Sequence, residues 1–598
     1  LRHRPVIARL HGFCLGLLRR FEVSDQTFLI LLATVVGVVV GGGTYVFERM
    51  LEYAGLIFWT VLPSLGGNRT LWLLITPCIG ALFLAPFIRF FPKDATTDGV
   101  PATMEAVALR NGFMRWPSSF LRMIMSSLTL GSGGSAGSEG PIIQIGSALA
   151  SGVGQFFRVS GNRLRVIVAC GAAAGLASIF NAPIAGVLFA LEVVLGEFNV
   201  QSFSPIVISS VVATAFSRAH ISHGQVIHTM TYHPGSMWEI VFYALMGVVA
   251  GTVAVIFVRI MAWTEGFFEK RIHLHRALKP AVGALGVGAI GLFYPQVFGY
   301  SYTPIHEAVT GQFSLVMLAV LVGMKILATA FTLGSGGSGG ILCPSLFIGA
   351  MLGGACGQFF QAAFPHMVTD AGAYAIVGMG AMLGAVVQAP MTAIIMVFEL
   401  TNEYTVILPM MASCILATLV QKTILNGSIY TLSLSRKGID IDAGREIGIL
   451  SSLRVRDIMD EHFTAVPPGA SYESVLRKCL TGTSNYLYVV DDDNRLEGVI
   501  SFSDLKEFVF EEELKNLVLA RDLANQNLVC VTPDESLASS LNKFSFIDME
   551  QLPVVDRLDG KIEMKGVITR NQLLRAYRQE MLKRVVSQDQ RQPRQPLY

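Results

Sequence analysis

From Phe28 to about Arg436 the chain is a succession of long apolar runs separated by short polar, glycine or proline breaks. Phe28 to Phe47 and Leu71 to Phe90 are each long enough to span a bilayer as a helix. A polar break, Asp94 to Pro101, precedes a short helix signal over Ala102 to Arg110. Ser119 to Leu130 leads into a glycine-rich stretch, and Arg165 to Leu195 is a long small-residue run interrupted at Asn181-Ala182-Pro183. Ser204 to Phe216 ends a first half; His220 to Trp238 is polar and reads as an external loop. Glu239 to Thr264, Leu278 to Phe293, Val316 to Thr332, Leu346 to Phe364, Ala373 to Leu400 and Thr405 to Leu425 follow as further spans. The pattern predicts an all-α polytopic membrane protein with several short or broken helices. From Arg436 onward the chain is charged and alternates short strand and helix signals, as a soluble α/β domain would.

Two stretches fit no ordinary spanning helix. Leu130 to Gly146 reads LGSGGSAGSEGPIIQIG, and Leu333 to Gly349 reads LGSGGSGGILCPSLFIG. Gly131 matches Gly334, Pro141 matches Pro344 and Gly146 matches Gly349 at a constant offset of 203 residues. Arg122 and Lys325 share that offset, while NAPIAGVLFALE (Asn181 to Glu192) and QAPMTAIIMVFE (Gln388 to Glu399) match at 207. The membrane part is therefore duplicated, and paired interrupted segments point to a transport site where the halves meet. Each loop opens a helix near its proline, since proline suits a first helical turn. Free N–H groups and a positive dipole end then converge on one point, which is an anion site.

Charge sharpens this. Arg122 and Lys325 are cations inside apolar spans, where they are costly; each either makes the interior electropositive or is paired locally. Glu139 is a lone carboxylate among glycines. When ionised it would occupy the anion site itself, and when protonated it would leave, so it is a candidate gate and proton carrier. Leu342 stands at the matching place in the second copy, so packing alone does not demand an acid. Glu192 and Glu399 each close an apolar run and read better as helix-end or packing groups. A divalent-cation transporter would need acidic clusters at the midplane, and the sequence instead has one acid and two matched bases.

Composition agrees: 52% hydrophobic, 15% charged, mean hydropathy +0.54. A net charge of +2 predicts no nucleic-acid partner, and eight scattered cysteines predict neither a disulfide framework nor a metal site. Arg2, Arg4, Arg9, Arg19 and Arg20 flank a segment read as an interfacial amphipathic helix rather than a cleaved signal, with a cytoplasmic N-terminus.

The motifs resemble those of the CLC family of chloride channels and proton-coupled chloride exchangers. GSEGP (Gly137 to Pro141) resembles its GxEGP motif, GGILCP (Gly339 to Pro344) its GxFxP motif with Leu342 for Phe, and TDGVP (Thr97 to Pro101) a divergent GSGIP. Tyr430 matches the tyrosine whose hydroxyl faces the central anion. The resemblance implies an inverted-repeat homodimer with an anion pore in each subunit and no enzyme activity. It implies that Glu139 gates and that Asp98, Gly99, Ser138, Gly140, Ile341, Leu342 and Tyr430 line the anion path. The chain departs from the family at two places. Asp98 stands at the family's anion-binding serine, where an ionised carboxylate would repel the anion unless turned away, protonated or neutralised. Val193 stands where exchangers usually carry an internal proton-transfer acid; valine cannot titrate, which favours passive conduction over stoichiometric exchange. Chloride, nitrate and bicarbonate all stay open as the anion.

The soluble part resembles a tandem pair of CBS domains. Gly498 to Asp504 (GVISFSD) looks like the module's adenosine site, with Ser501 and Asp504 as ligands for ATP, ADP or AMP; the second copy has Gln572 instead of an aspartate. The expected organisation is an N-terminal cytoplasmic segment (1–27), two membrane repeats (28–217 and 218–436), a linker (437–453), two CBS modules (454–516 and 517–584) and a disordered tail (585–598). No other cofactor is expected. The expected location is the cell's inner (plasma) membrane, with both termini cytoplasmic.

Overall fold

The computed structural model describes residues 25–64, 66, 68–91, 99–159, 161–220, 238–368, 370–439, 450, 453–481, 485–506, 518–526, 528–546, 549–558 and 561–590. The N-terminal arginine-rich segment, Asp98, most of the external loop after His220, most of the linker, the last residues of the tail and the Asp504 side chain lie outside the described residues. The chain divides into two compact units at Ile439 and Asp440.

The first unit is helical. Its first half holds α1 (Asp25–Leu56), α2 (Arg69–Phe90), α3 (Gly99–Leu109), α4 (Ser118–Gly131), α5 (Glu139–Phe156), α6 (Asn162–Phe180), α7 (Pro183–Phe189) and α8 (Val200–His220). Its second half holds α9 (Glu239–Lys270), α10 (Lys279–Phe293), α11 (Thr303–Val309), α12 (Leu315–Gly334), α13 (Leu342–Ala363), α14 (Ala371–Val387), α15 (Pro390–Thr401), α16 (Ile407–Leu425) and α17 (Ile429–Arg436). Among the described residues eight helices are long and apolar enough to cross a membrane, and five more are shorter and apolar. The chain is a multi-pass membrane protein.

The long run over Arg165 to Leu195 breaks where the sequence predicts. Asn181 takes a left-handed conformation at the end of α6, and Pro183 opens α7. Its repeat mate Gln388 does the same between α14 and α15, ahead of Pro390. Beyond α7 the backbone widens into a π-helix over Ala190–Leu195, which carries Glu192 and Val193.

The two halves meet through reciprocal contacts. Gly137 N–H donates to the Gly340 carbonyl (2.9 Å) and Gly340 N–H to the Gly137 carbonyl (2.7 Å), an antiparallel bridge between equivalent residues. Ser135 N–H donates to Thr332 Oγ1 (3.0 Å), and its mate Ser338 N–H donates to Thr129 Oγ1 (3.2 Å). Ser126 and Ser338 hydroxyls pair at 2.7 Å, as do Thr329 and Ser135 at 3.4 Å. Every one of these contacts has its partner under the 203-residue offset, so a pseudo-two-fold axis passes between the glycine loops. This is an inverted repeat.

The second unit contains two similar modules. The first pairs β1 (Ala465–Val466) parallel with β2 (Tyr486–Val490), and β2 antiparallel with β3 (Leu496–Ser501). The second pairs β4 (Gln551–Leu558) antiparallel with β5 (Lys561–Thr569), which runs into α18 (Arg570–Gln590). Each antiparallel pair carries an irregularity at the same place, Val489/Val490 and Val554/Val555. The alternation of short strand and helix signals read from the sequence matches this order; the short β1 carries too little periodicity to be read from sequence.

Candidate functional site

The site forms where the helix starts of the two repeats face each other. Gly133 and Gly336 take φ of +102° and +103°, a region that side chains rarely adopt, and so turn each loop back toward the axis. At the crossing the backbones nearly touch. A Cβ on Gly340 would lie 2.5 Å from Gly140 N, and one on Gly140 would lie 2.8 Å from Gly340 Cα. The glycines are there because nothing larger allows this approach.

Glu139 is the first residue of α5 and is fully buried. Its Oε1 accepts the backbone N–H of Cys343 at 2.9 Å, the second residue of α13. The carboxylate of one repeat thus caps the helix of the other, with two helix N-termini directed at one negative charge. Such an end is stabilising for a carboxylate and equally for any anion that replaces it. Leu342, at the position matching Glu139, opens α13 and is buried, as are Ile341 and Ser138.

A cavity of about 130 Å³ approaches this point. Gly99 at the start of α3, Gly140, Ile341 and Tyr430 line it, and Arg122, Glu265 and Arg436 also face it. Tyr430 is buried near the start of α17, whose first turn is fixed by the Ser428 hydroxyl accepting Thr431 N–H (3.1 Å). Arg436 pairs with Glu265 across the cavity at 3.1 Å. The structure therefore gathers Gly99, Arg122, Gly140, Ile341 and Tyr430 around one space, with Glu139 next to it.

Lys325 is placed differently from Arg122. Its Nζ donates to the carbonyls of Val297 (2.9 Å) and Gly299 (3.1 Å) and sits 4.9 Å from the Phe347 ring centroid. It ties down the turn before α11 and acts on Glu139 only electrostatically. The Cys343 N–H, Glu265 and Arg436 were not singled out from the sequence. The first had a signal: it lies two residues into a helix that Pro344 announces.

Val193 is buried in the π-helix. Its neighbour Glu192 accepts Met391 N–H (3.3 Å), Thr392 N–H (2.8 Å) and the Thr392 hydroxyl (2.7 Å) at the start of α15. Glu399 does the same for α7, accepting Ile184 N–H (3.0 Å) and Ala185 N–H (2.7 Å). The two carboxylates cap each other's repeat, the helix-end role that the sequence favours.

In the second unit Ser501 ends β3, with its hydroxyl 2.7 Å from that of Ser503. In the second module Gln572 Oε1 accepts the N–H and hydroxyl of Thr569 (2.8 and 2.9 Å), while Thr569 Oγ1 accepts Gln572 N–H (3.1 Å). The glutamine is spent on capping its own helix.

Comparison with known proteins agrees with this arrangement. The family described as "Voltage gated chloride channel" matches residues 80–422, and the CBS domain family matches 455–511 and 520–579. The chain is 34% identical over 371 residues to a putative chloride channel protein ClcB-like from Ralstonia nicotianae, covering 61% of this chain and 86% of that protein. It is 31% identical over 462 residues to the H(+)/Cl(-) exchange transporter ClcA of Cronobacter sakazakii, covering 73% of this chain and 96% of that one. The crystal structure of a slow cyanobacterial Cl-/H+ antiporter superposes with a TM-score of 0.63 at 25% identity, covering 69% of this chain and 98% of that one. The chain belongs to the CLC family of channels and transporters, not enzymes, and carries a C-terminal pair of CBS domains.

Proposed function

We propose that this chain carries small anions of the chloride type across the membrane, with Glu139 as a protonatable plug. One observation carries the reading: the Glu139 carboxylate occupies the meeting point of two helix N-termini, held by Cys343 N–H, beside a cavity lined by Arg122 and Tyr430. An ionised Glu139 competes with the transported anion; a protonated one releases the helix ends. Ser138, Gly140, Ile341, Leu342 and Tyr430 form the path together with Gly99, and Asp98 is assigned to it from the sequence motif alone. Arg122 supplies positive potential along the cavity, and Lys325 supplies it from behind the site. Chloride, nitrate and bicarbonate are all compatible with this chemistry.

Passive conduction is the reading that the residues favour. Val193 offers no proton, and Glu192 beside it is engaged by three donors in a structural cap. Proton-coupled exchange is the second reading, supported by the relatives whose names describe exchangers. Purified protein in liposomes separates them: anion efflux and proton movement are recorded together under an anion gradient alone. Efflux without uphill proton movement supports conduction; uphill movement in fixed ratio makes the chain an exchanger.

Around this core we place a homodimer in the inner (plasma) membrane with both termini cytoplasmic. The two membrane repeats cover 28–217 and 218–436, and the CBS modules cover 454–516 and 517–584. The CBS pair is read as binding an adenine nucleotide through Ser501 and Asp504 of the first module. Failure of ATP, ADP and AMP to bind the full-length protein would remove that last assignment.

A further inference from the structure

Glu139 has two sides. On one lies the cavity lined by Gly99, Gly140 and Tyr430. The other holds a second tyrosine, Tyr302. It stands just before α11, and the repeat explains its place. Pro304 follows Pro101 at the same 203-residue offset, so Ser301 and Tyr302 are the two-fold mates of Asp98 and Gly99. An inverted repeat puts the start of α3 and the start of α11 on opposite sides of the crossing of the two glycine loops, beside which Glu139 lies.

Several contacts fix Tyr302 there. Its ring packs edge-on against Phe180 at 6.5 Å. Its hydroxyl neighbours the Cys343 side chain, whose thiol donates to the Tyr300 carbonyl at 3.7 Å. Cys343 is the residue whose N–H holds Glu139 Oε1. The second oxygen, Glu139 Oε2, is buried without a hydrogen-bond partner. Tyr302 is within electrostatic reach of that carboxylate and is itself partly exposed.

We propose that the Tyr302 hydroxyl is an anion ligand on the side of Glu139 opposite Tyr430, donating to whichever small monoanion, carboxylate or transported ion, holds the two helix ends. A phenol O–H is neutral and rotates about one bond. The Cys343 sulfur beside it is at best a weak acceptor, so turning toward an anion gains a charge-assisted hydrogen bond at little cost. The inference rests on the reading that Glu139 occupies the anion's place.

Chloride is the probe, and calorimetry on purified Glu139→Gln protein is the measurement, because the carboxylate no longer competes there. Adding Tyr302→Phe keeps the ring on Phe180 and removes only the hydroxyl. Loss of one hydrogen bond to a charged partner is expected to weaken chloride binding about ten-fold or more. Replacing Tyr302 by a fluorotyrosine, a stronger donor, is expected to tighten binding at a pH where the phenol stays neutral; this second substitution reports even where the first unfolds the protein. Unchanged affinity in both overturns the assignment. If Glu139→Gln alone neither improves chloride binding nor alters the pH response of flux, the plug reading itself has failed. That result is distinct from a Glu139→Gln protein that behaves as expected but ignores Tyr302.

Discussion

The two glycine loops share a backbone and differ in chemistry. Both turn at a positive-φ glycine, both are held by a threonine of the other repeat, and they meet at Gly137 and Gly340. At the first helical position one has Glu139 and the other Leu342. Duplication supplies two helix ends that attract an anion, but the sequence supplies only one internal anion. That carboxylate serves the other repeat's helix, through Cys343 N–H. Contrast the second repeated pair, Glu192 and Glu399. There both copies keep the acid, and each caps the other's helix. Symmetry is retained where the carboxylates cap helices in both repeats and broken at Glu139, the proposed plug.

The largest expected effect removes the asymmetry. Glu139→Gln leaves an isosteric side chain without charge, so anion flux in liposomes should stay high and lose its pH dependence. In the native chain flux should rise as pH falls, because protonation vacates the site. A Glu139→Gln protein that keeps the native pH profile would end the plug reading.

A second effect separates the two bridging glycines. A Cβ on Gly137 would fall 1.9 Å from Glu139 Oε2, the movable end of a side chain, whereas one on Gly340 would meet the Gly140 backbone at 2.5 Å. Gly137→Ala should therefore displace the carboxylate and raise flux at neutral pH with a small change in Tm. Gly340→Ala should instead cost stability, about 1–3 kcal/mol as for an overpacked core, seen as a lower Tm in detergent. Equal Tm losses in both would mean that the bridge, not the carboxylate, dominates at Gly137.

How much of this was legible beforehand follows from the range of the signals. The apolar runs, the broken helices and the glycine loops are local patterns, and the constant offset between copies exposes the duplication. Glu139 stands out because an acid among glycines at membrane depth is too costly to persist without a task. The groups that catch it do not stand out. Cys343 contributes a backbone N–H, which side-chain identity does not encode, and it comes from the far repeat. Lys325 shows the converse. A lysine inside an apolar span announces that it has a partner, but carbonyls such as those of Val297 and Gly299 satisfy it as well as an anion path would. The cross-capping by Glu192 and Glu399 was readable as a helix-end role, but not as an exchange between repeats, because pairing across some two hundred residues leaves no local trace.

That exchange gives a third, smaller effect. Glu192→Gln and Glu399→Gln each replace a charged acceptor of helix-start N–H groups by a neutral one. Each should lower stability by about 1–2 kcal/mol, and by similar amounts. Neither should alter the ratio of proton to anion movement. A change in that ratio for Glu192→Gln alone would show that the pair is not equivalent and would reopen a proton route beside Val193.

The smallest effect tests the scaffold symmetry by itself. Thr129 Oγ1 donates to the Met125 carbonyl (3.0 Å) and accepts Ser338 N–H; Thr332 Oγ1 donates to the Ala328 carbonyl (2.9 Å) and accepts Ser135 N–H. Valine has nearly the same shape and offers no acceptor, so each substitution strands one buried N–H. The cost should be about 1 kcal/mol for Thr129→Val and about the same for Thr332→Val, read as matching shifts in Tm. The pH profile of flux should not move in either, because neither hydroxyl touches Glu139. If Thr129→Val shifts the profile while Thr332→Val does not, the loop that carries Leu342 and Cys343, held by Thr129 through Ser338 N–H, adjusts to the state of Glu139. The asymmetry of the chemistry would then have spread into the backbone that now looks symmetric.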